Sequence, residues 1–544
     1  HGQGHDAFIC FEQMQSEGFS PDAIIFTCLL KACGNAQDIE KGKNIHEEIV
    51  KEGLLEKDSF LGNSLVDMYV KCGRLAKAQQ VLGELPIRDV VSWNTLIAGY
   101  VQQRQGHEAL NCFNWMQNDG IPPNVVTFIL ILSACGYTRA IDKGKQIHEK
   151  IMNRDLLEKD IMLGNALIDM YAKCGMLSQA QKVLEELPLR DIVSWNALIS
   201  GYAEEGQGFE ALNSFDCMQS EGVLPDVVTF ICVLKACGIT RAIEKGDQIY
   251  EEILSRNLLA KDTTLGTALV DMYAKCGVLS KAQEILEELP IRNLVTWSAL
   301  ITGYTQQGQG YEALNNFEQM QSEGLSPDSV TFISILKACG STGAIEIGEN
   351  IHDIIARMGL LDNDIVLGTA LVDMYGKCGM LAKAKGVLEK LPERNIVSWN
   401  ALLAGYSQHG QGHEALDCFA VMQNEGVCPN EVTFLCVLSA CNHSGLLGEA
   451  QMLFENMRKK YGISPNIEHH TSMIMAYGSS GHFDMAMSVI EAMPSSDYLT
   501  VWLALLGSCE KWGNVKLACL AFHHAVQLDN NCATTYALMA SIFA

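Results

Sequence analysis

Residues 192–226 read IVSWNALISGYAEEGQGFEALNSFDCMQSEGVLPD. Trp195, Leu198, Ile199 and Tyr202 recur at i, i+3, i+4 and i+7, the spacing of one helical face. The Gly-Gln-Gly run at 206–208 interrupts that helix. Ala211, Leu212, Phe215 and Met218 then form a second apolar stripe, which Gly222 and Pro225 end. The stretch therefore predicts a helical hairpin. One hairpin cannot bury two apolar stripes by itself, so it must stack on others.

The others are present. Residues 227–262 and 263–293 repeat the two-helix pattern in units of 36 and 31 residues, and the three units make a period of 102. Trp93, Trp195, Trp297 and Trp399 mark that period. So do Cys33, Cys135, Cys237, Cys339 and Cys441, and a second cysteine series at Cys72, Cys174, Cys276 and Cys378. A fixed period over most of a chain predicts an all-α superhelical solenoid of helix-turn-helix repeats with a long concave surface.

Composition sets bounds. Of 544 residues 48% are hydrophobic, too many for a disordered chain. No apolar run approaches the roughly 18 residues of a membrane span, so no membrane partner is expected. The net charge of −25 argues against bulk attraction to nucleic acid or anionic lipid, though a solenoid can confine basic residues to one face. Twenty cysteines without a Cys-x-x-Cys read as small packing residues of a reducing compartment. The first residues carry no targeting pattern. The chain begins inside one unit and stops soon after another starts, so it reads as a fragment, with targeting information outside it.

Some positions point away from the hairpin's own core. At 100° per residue, Val193 and Asn196, second and fifth in the unit, lie opposite the Trp195 face. So does position 13 of the 31-residue units, occupied by Lys71, Lys173, Lys275 and Lys377. The fifth position is Asn94, Asn196, Ser298 and Asn400 in the 35-residue units, and Asn63, Asn165, Thr267 and Thr369 in the 31-residue units. The last position alternates between Asp and Asn: Asp89, Asn124, Asp191, Asp226, Asn293, Asp328, Asn395 and Asn430. A last-position Asp or Asn is a natural N-cap for the next helix. The fifth position has no such work and uses residue types mediocre inside helices, which favours ligand readout.

The segments VSWNALISGY, ALNSFDCMQSEGVLPD, ACGITRAIEKGDQIY and LVDMYAKCGVLSKAQEILEELP resemble pentatricopeptide repeats, in the triplet class of plant organelle proteins with 35-, 36- and 31-residue motifs. The resemblance covers essentially the whole chain and implies a right-handed superhelix. It divides residues 1–22 as a partial 35-residue unit and 23–89 as a 36- and a 31-residue unit. Triplets follow at 90–191, 192–293 and 294–395, then a 35-residue unit at 396–430. Residues 431–466 and 467–498 resemble the family's terminal motifs, 499–532 its extension motif, and 533–544 the start of a second extension motif.

The resemblance implies single-stranded organellar RNA as partner, one base per repeat read by two or three side chains. The fifth and last residues would select a base through its Watson–Crick edge. The second residue (Val91, Val193, Val295 and Val397) would pack between bases. By the family's pairing, Asn63 with Asp89, Asn165 with Asp191 and Asn196 with Asp226 favour uracil. Asn94 with Asn124 and Asn400 with Asn430 favour cytosine. Thr267 with Asn293 and Thr369 with Asn395 favour adenine, and Ser298 with Asp328 favours guanine. Ile129, Ile231, Ile333 and Leu435 hold the fifth position of the 36-residue units and cannot bond a base edge; Thr27 is the exception. The expected tract is U-C-x-U-U-x-A-G-x-A-C. The position-13 lysines are either phosphate contacts or solvated helix ends. Arg88, Arg190, Arg292 and Arg394 read as helix-terminal or inter-repeat ion pairs.

The terminal motifs imply a specificity factor for cytidine-to-uridine editing in a mitochondrion or chloroplast, with a deaminase-domain protein or other editing factor as further partner. Tyr498 departs from the pattern, which has Asp there, and puts readout by Thr471 in doubt. Zinc deaminases need His-x-Glu together with Pro-Cys-x-x-Cys. His46-Glu47-Glu48 matches the first by chance within a repeat helix, and the second does not occur. No catalytic centre, cofactor or metal is expected in this chain. The alternative is a scaffold for protein partners, or another organellar RNA-processing or stability factor.

Overall fold

In the computed structural model of the chain, residues 4–56, 59–157, 160–259, 262–362, 364–493 and 498–543 are described. Among them the chain is α-helical, with 3-10 turns at Leu54–Glu56 and Leu360–Asp362 and no strand. Residues 494–497, inside the terminal 467–498 motif, lie outside the described residues. Two compact bodies, residues 1–276 and 277–544, are each an all-α solenoid of stacked helical hairpins.

The first body shows how a hairpin is built. Ile192–Glu204 and Gly208–Ser220 are its two helices. Asp191 starts the first by accepting a hydrogen bond from the Ser194 N–H at 2.9 Å. Gly206 turns the chain with φ +76°, a conformation cheap only for glycine. Trp195, Leu198, Ile199, Tyr202, Ala211, Phe215 and Met218 are all buried. Burying one large apolar side chain fully contributes about 1.5–3 kcal/mol, so this stripe holds the hairpin together.

First helices stack on first helices. Ile161–Lys173 packs between Val125–Thr138 and Ile192–Glu204; in the second body Ile365–Lys377 packs between Ser329–Thr342 and Ile396–Gln408. Small residues permit the approach. A Cβ on Gly201 would lie 2.6 Å from the Ala172 Cβ, and one on Gly405 would lie 2.9 Å from the Gly376 Cα. The cysteines belong to this seam. Cys33, Cys135, Cys237, Cys339 and Cys441 are 0% exposed. Burial pushes the thiols of Cys33, Cys135, Cys237 and Cys339 up to about 12, so they pack rather than react.

Candidate nucleic-acid interface

Every last-position residue named from sequence is an N-cap. In Asp89, Asn124, Asp191, Asp226, Asn293, Asp328, Asn395 and Asn430 the side-chain Oδ1 accepts from a backbone N–H of the next helix's first turn, at 2.8–3.0 Å. An N–H needs an acceptor, so at each asparagine the carbonyl oxygen must face the helix. The amide Nδ2 of Asn, or the Oδ2 of Asp, is the atom the cap leaves over; at Asp89 and Asp191 that Oδ2 also accepts from Asn63 and Asn165, with lone-pair capacity remaining. At Asp226, burial opposes ionisation. The bonds from the Thr229 N–H and the Asn196 amide outweigh it and hold the carboxyl below its ordinary value.

The fifth position does have a structural partner, a correction to the sequence reading. Its side chain reaches the last residue of its own unit. Asn94 Nδ2 donates to Asn124 Oδ1 at 3.1 Å, Asn196 to Asp226 Oδ1 at 3.1 Å, and Asn400 to Asn430 Oδ1 at 3.2 Å. Asn63 donates to both Asp89 oxygens at 3.2 and 3.3 Å, and Asn165 to those of Asp191 at 3.2 and 3.4 Å. The two positions form one hydrogen-bonded pair that also buttresses the cap. Packing brings together residues 26 or 30 apart, which periodicity alone does not show. Ser298 differs: its hydroxyl lies 2.5 Å from Thr331 Oγ1, and Thr331 in turn donates to Asp328 Oδ1 at 2.7 Å. Thr267 bonds back to Thr263 O at 3.0 Å. Thr369 is half-buried on Ile365–Lys377.

The second position is an exposed apolar row. Val91, Val193, Val295 and Val397 are 54–60% exposed. The same register exposes Ile24, Val126, Val228, Val330 and Val432 in the 36-residue units, and Phe60, Met162 and Val366 in the 31-residue units, where Thr264 is a polar exception. Sequence reading missed these eight, although position two carried the signal in all three triplets. Aliphatic groups held in water at one register position are poorly explained as packing. Ile129, Ile231, Ile333 and Leu435 are half-buried, and Thr27 is buried with its hydroxyl unpartnered.

The basic residues are largely committed. Lys71, Lys173, Lys275 and Lys377 each pair with the aspartate four residues earlier, Asp67, Asp169, Asp271 and Asp373, at 2.6–2.8 Å. Arg190 pairs with Glu221 and donates from Nε to Leu184 O at 2.9 Å; Arg88–Asp119, Arg292–Glu323 and Arg394–Glu425 repeat the pair. All four arginines therefore tie one unit to the next, and Arg190, Arg292 and Arg394 also close a helix end through its carbonyls. His46 Nδ1 lies 2.9 Å from the Tyr69 hydroxyl, and burial lowers its pKa. No cluster of three or more metal-ligating side chains occurs among the described residues. Tyr498 starts its helix without a side-chain cap, and Thr471 bonds back to Ile467 O at 2.8 Å.

Comparison with known proteins places this fold. Residues 88–136, 190–238, 292–341 and 394–443 match the PPR repeat family, and residues 24–54, 63–90, 165–192, 267–294, 369–396, 432–461 and 468–498 match the PPR repeat. A chloroplastic pentatricopeptide repeat-containing protein of Arabidopsis thaliana, At1g11290, is 35% identical over 98% of this chain and 65% of its own length. A mitochondrial one, At2g03380, is 34% identical over 98% of this chain and 77% of its own. The crystal structure of maize PPR10 matches with a TM-score of 0.59 at 17% identity, covering 100% of this chain and 92% of that one. Its complex with an 18-nt psaJ RNA element matches at 0.53 and 18%, covering 100% and 88%. No described helix is long and apolar enough to cross a membrane. The chain belongs to the pentatricopeptide repeat family.

Proposed function

We propose that this chain binds single-stranded RNA in a sequence-specific way, one base per 35- or 31-residue unit. The atom left over at each last position carries the reading. Where that residue is Asp, Oδ2 can only accept, which suits the N3–H of uracil or the N1–H of guanine. Where it is Asn, Nδ2 can only donate, which suits N3 of cytosine or N1 of adenine. This chemistry divides the bases as the family's pairing does and supports the tract U-C-x-U-U-x-A-G-x-A-C. Asn165 adds to it: its Oδ1 is buried without a partner, an acceptor that a base could satisfy. The exposed second-position row offers bases an apolar surface on either side. The RNA bound by maize PPR10 is a precedent on the same fold.

The likeness of residues 431–532 to terminal and extension motifs of the triplet class supports a finer role. The chain would act in a mitochondrion or chloroplast as the specificity factor for cytidine-to-uridine editing, with the deaminase supplied by another domain or partner. Electrophoretic mobility shift with the tract and with a scrambled RNA of the same composition tests base reading. Tighter binding of the tract at moderate salt is expected; equal affinity overturns the proposal.

A further inference from the structure

Four 36-residue units carry threonine at their third position, at residues 127, 229, 331 and 433, with a bond that the counterpart in the 35-residue units lacks. Thr127 Oγ1 donates to Asn94 Oδ1 at 2.8 Å, Thr229 to Asn196 Oδ1 at 2.7 Å, and Thr433 to Asn400 Oδ1 at 2.7 Å. Each hydroxyl also accepts the backbone N–H of the preceding cap residue, Asn124, Asp226 or Asn430, at 3.2 Å. It has one hydrogen to give. The cap side chain's Oδ1 lies farther away, at 2.9–3.0 Å, and already accepts two N–H groups, so that hydrogen goes to the fifth-position carbonyl. The Asn amide is thus held at both ends, Nδ2 on the last residue and Oδ1 on the threonine.

The junction one unit earlier differs. Ser92, Ser194 and Ser398 turn their hydroxyls back to the carbonyls of Asp89, Asp191 and Asn395 at 2.7–2.8 Å. Thr296 does the same to Asn293 O at 2.7 Å, so the difference follows the junction and not the choice of Ser or Thr. Asn165 is held at Nδ2 alone, and its Oδ1 stays unpartnered. Helix capping is common to both junctions and cannot explain the extra bond.

We propose that Thr127, Thr229, Thr331 and Thr433 are positioning residues for base choice by the 35-residue unit before each of them. Resting on the base-reading function above, this makes reading sharper opposite 35-residue units than opposite 31-residue units. At the serine-bearing unit the proton order reverses. Thr331 gives its hydrogen to Asp328, so Ser298 donates to Thr331 and keeps its oxygen free to accept. That arrangement suits a guanine amino group.

The test uses the whole chain and fluorescence anisotropy competition. The RNAs are the tract and its single-base variants at the fourth base (opposite Asn165) and the fifth (opposite Asn196). Thr229→Val keeps the side-chain shape and removes the hydroxyl. Discrimination at the fifth base is expected to fall about fivefold, the effect of one net hydrogen bond. Discrimination at the fourth base stays as in wild type, and Thr229→Ser restores the fifth. Ser194→Ala is expected to lower thermal stability while leaving the fourth base's discrimination unchanged. Unchanged discrimination at the fifth base in Thr229→Val, or an equal loss at both bases, overturns the positioning role while base reading stands. Wild-type protein that discriminates at neither base overturns base reading, and this inference with it. Thr127→Val, read at the second base, repeats the test at another junction.

Discussion

On the helix Ile192–Glu204, Trp195 is 5% exposed while its neighbour Val193, two residues back, is 54% exposed, and Asn196 beside it is half-buried in a hydrogen bond to Asp226. The same contrast recurs at Trp93, Trp297 and Trp399. One face of the helix is repeated without change because it must fit the same neighbour every time. The other keeps valine at the second position and varies its chemistry at the fifth. Under the proposed base reading, stability and selectivity lie on opposite faces of one helix, and each can be perturbed without the other.

The largest effect should come from the buried face. Phe230 is 0% exposed. Phe230→Ala is expected to cost about 3–5 kcal/mol in denaturant unfolding, from lost burial and the cavity left behind. Base preference in competition binding should not change. A shift in preference would break the separation between the two faces.

Next comes the polar row. Asp226→Asn keeps the N-cap, since Asn caps about as well as Asp. It turns the left-over acceptor into a donor. Preference at the base opposite Asn196 should move from uracil toward cytosine by about 1–3 kcal/mol, the range of one good side-chain-to-base pairing. Competition among the four RNAs differing at that base measures it. Unchanged preference would show that the left-over atom does not meet the base.

The hairpins were legible from sequence because their information is local: the spacing of Trp195, Leu198, Ile199 and Tyr202, the break at Gly206, and the Asp or Asn before each first helix. The caps were legible for the same reason. The bond between Asn94 and Asn124 was not. It joins residues 30 apart and exists only because two hairpins pack. The bond from Thr127 to Asn94 spans 33 residues and was hidden twice over, since a third-position threonine already reads as a capping residue. The exposed Phe60 and Met162 were obscured by their residue type: large apolar side chains suggest a core, and only their register says otherwise.

A smaller effect tests the buried face by pH. His46, His148, His352 and His469 have pKa values lowered chiefly by burial. The unfolded chain takes up their protons first, near the ordinary value of 6.5, so it binds more protons than the folded chain just below that pH. Stability should be full above pH 6.5 and fall as the pH drops below it, by at most about 1.4 kcal/mol per pH unit for each histidine. Thermal melts between pH 7.5 and 5 measure the slope. His148→Gln should flatten it; a slope that steepens would reverse the assignment of a neutral buried ring.

The smallest effect concerns where the row ends. Lys173 could extend it toward the RNA backbone, but its Nζ lies 2.7 Å from Asp169 and 4.7 Å from the centre of the Tyr137 ring. A charge already paired must give up that partner to serve a phosphate. Lys173→Gln should therefore lower the slope of log affinity against log salt by clearly less than the roughly 0.7 expected for one full contact to a single strand. Affinities measured across a potassium chloride series give the slope. A drop near 0.7 would mean that RNA displaces Asp169. It would make these lysines part of the variable face's work on a ligand, even though their residue type never varies.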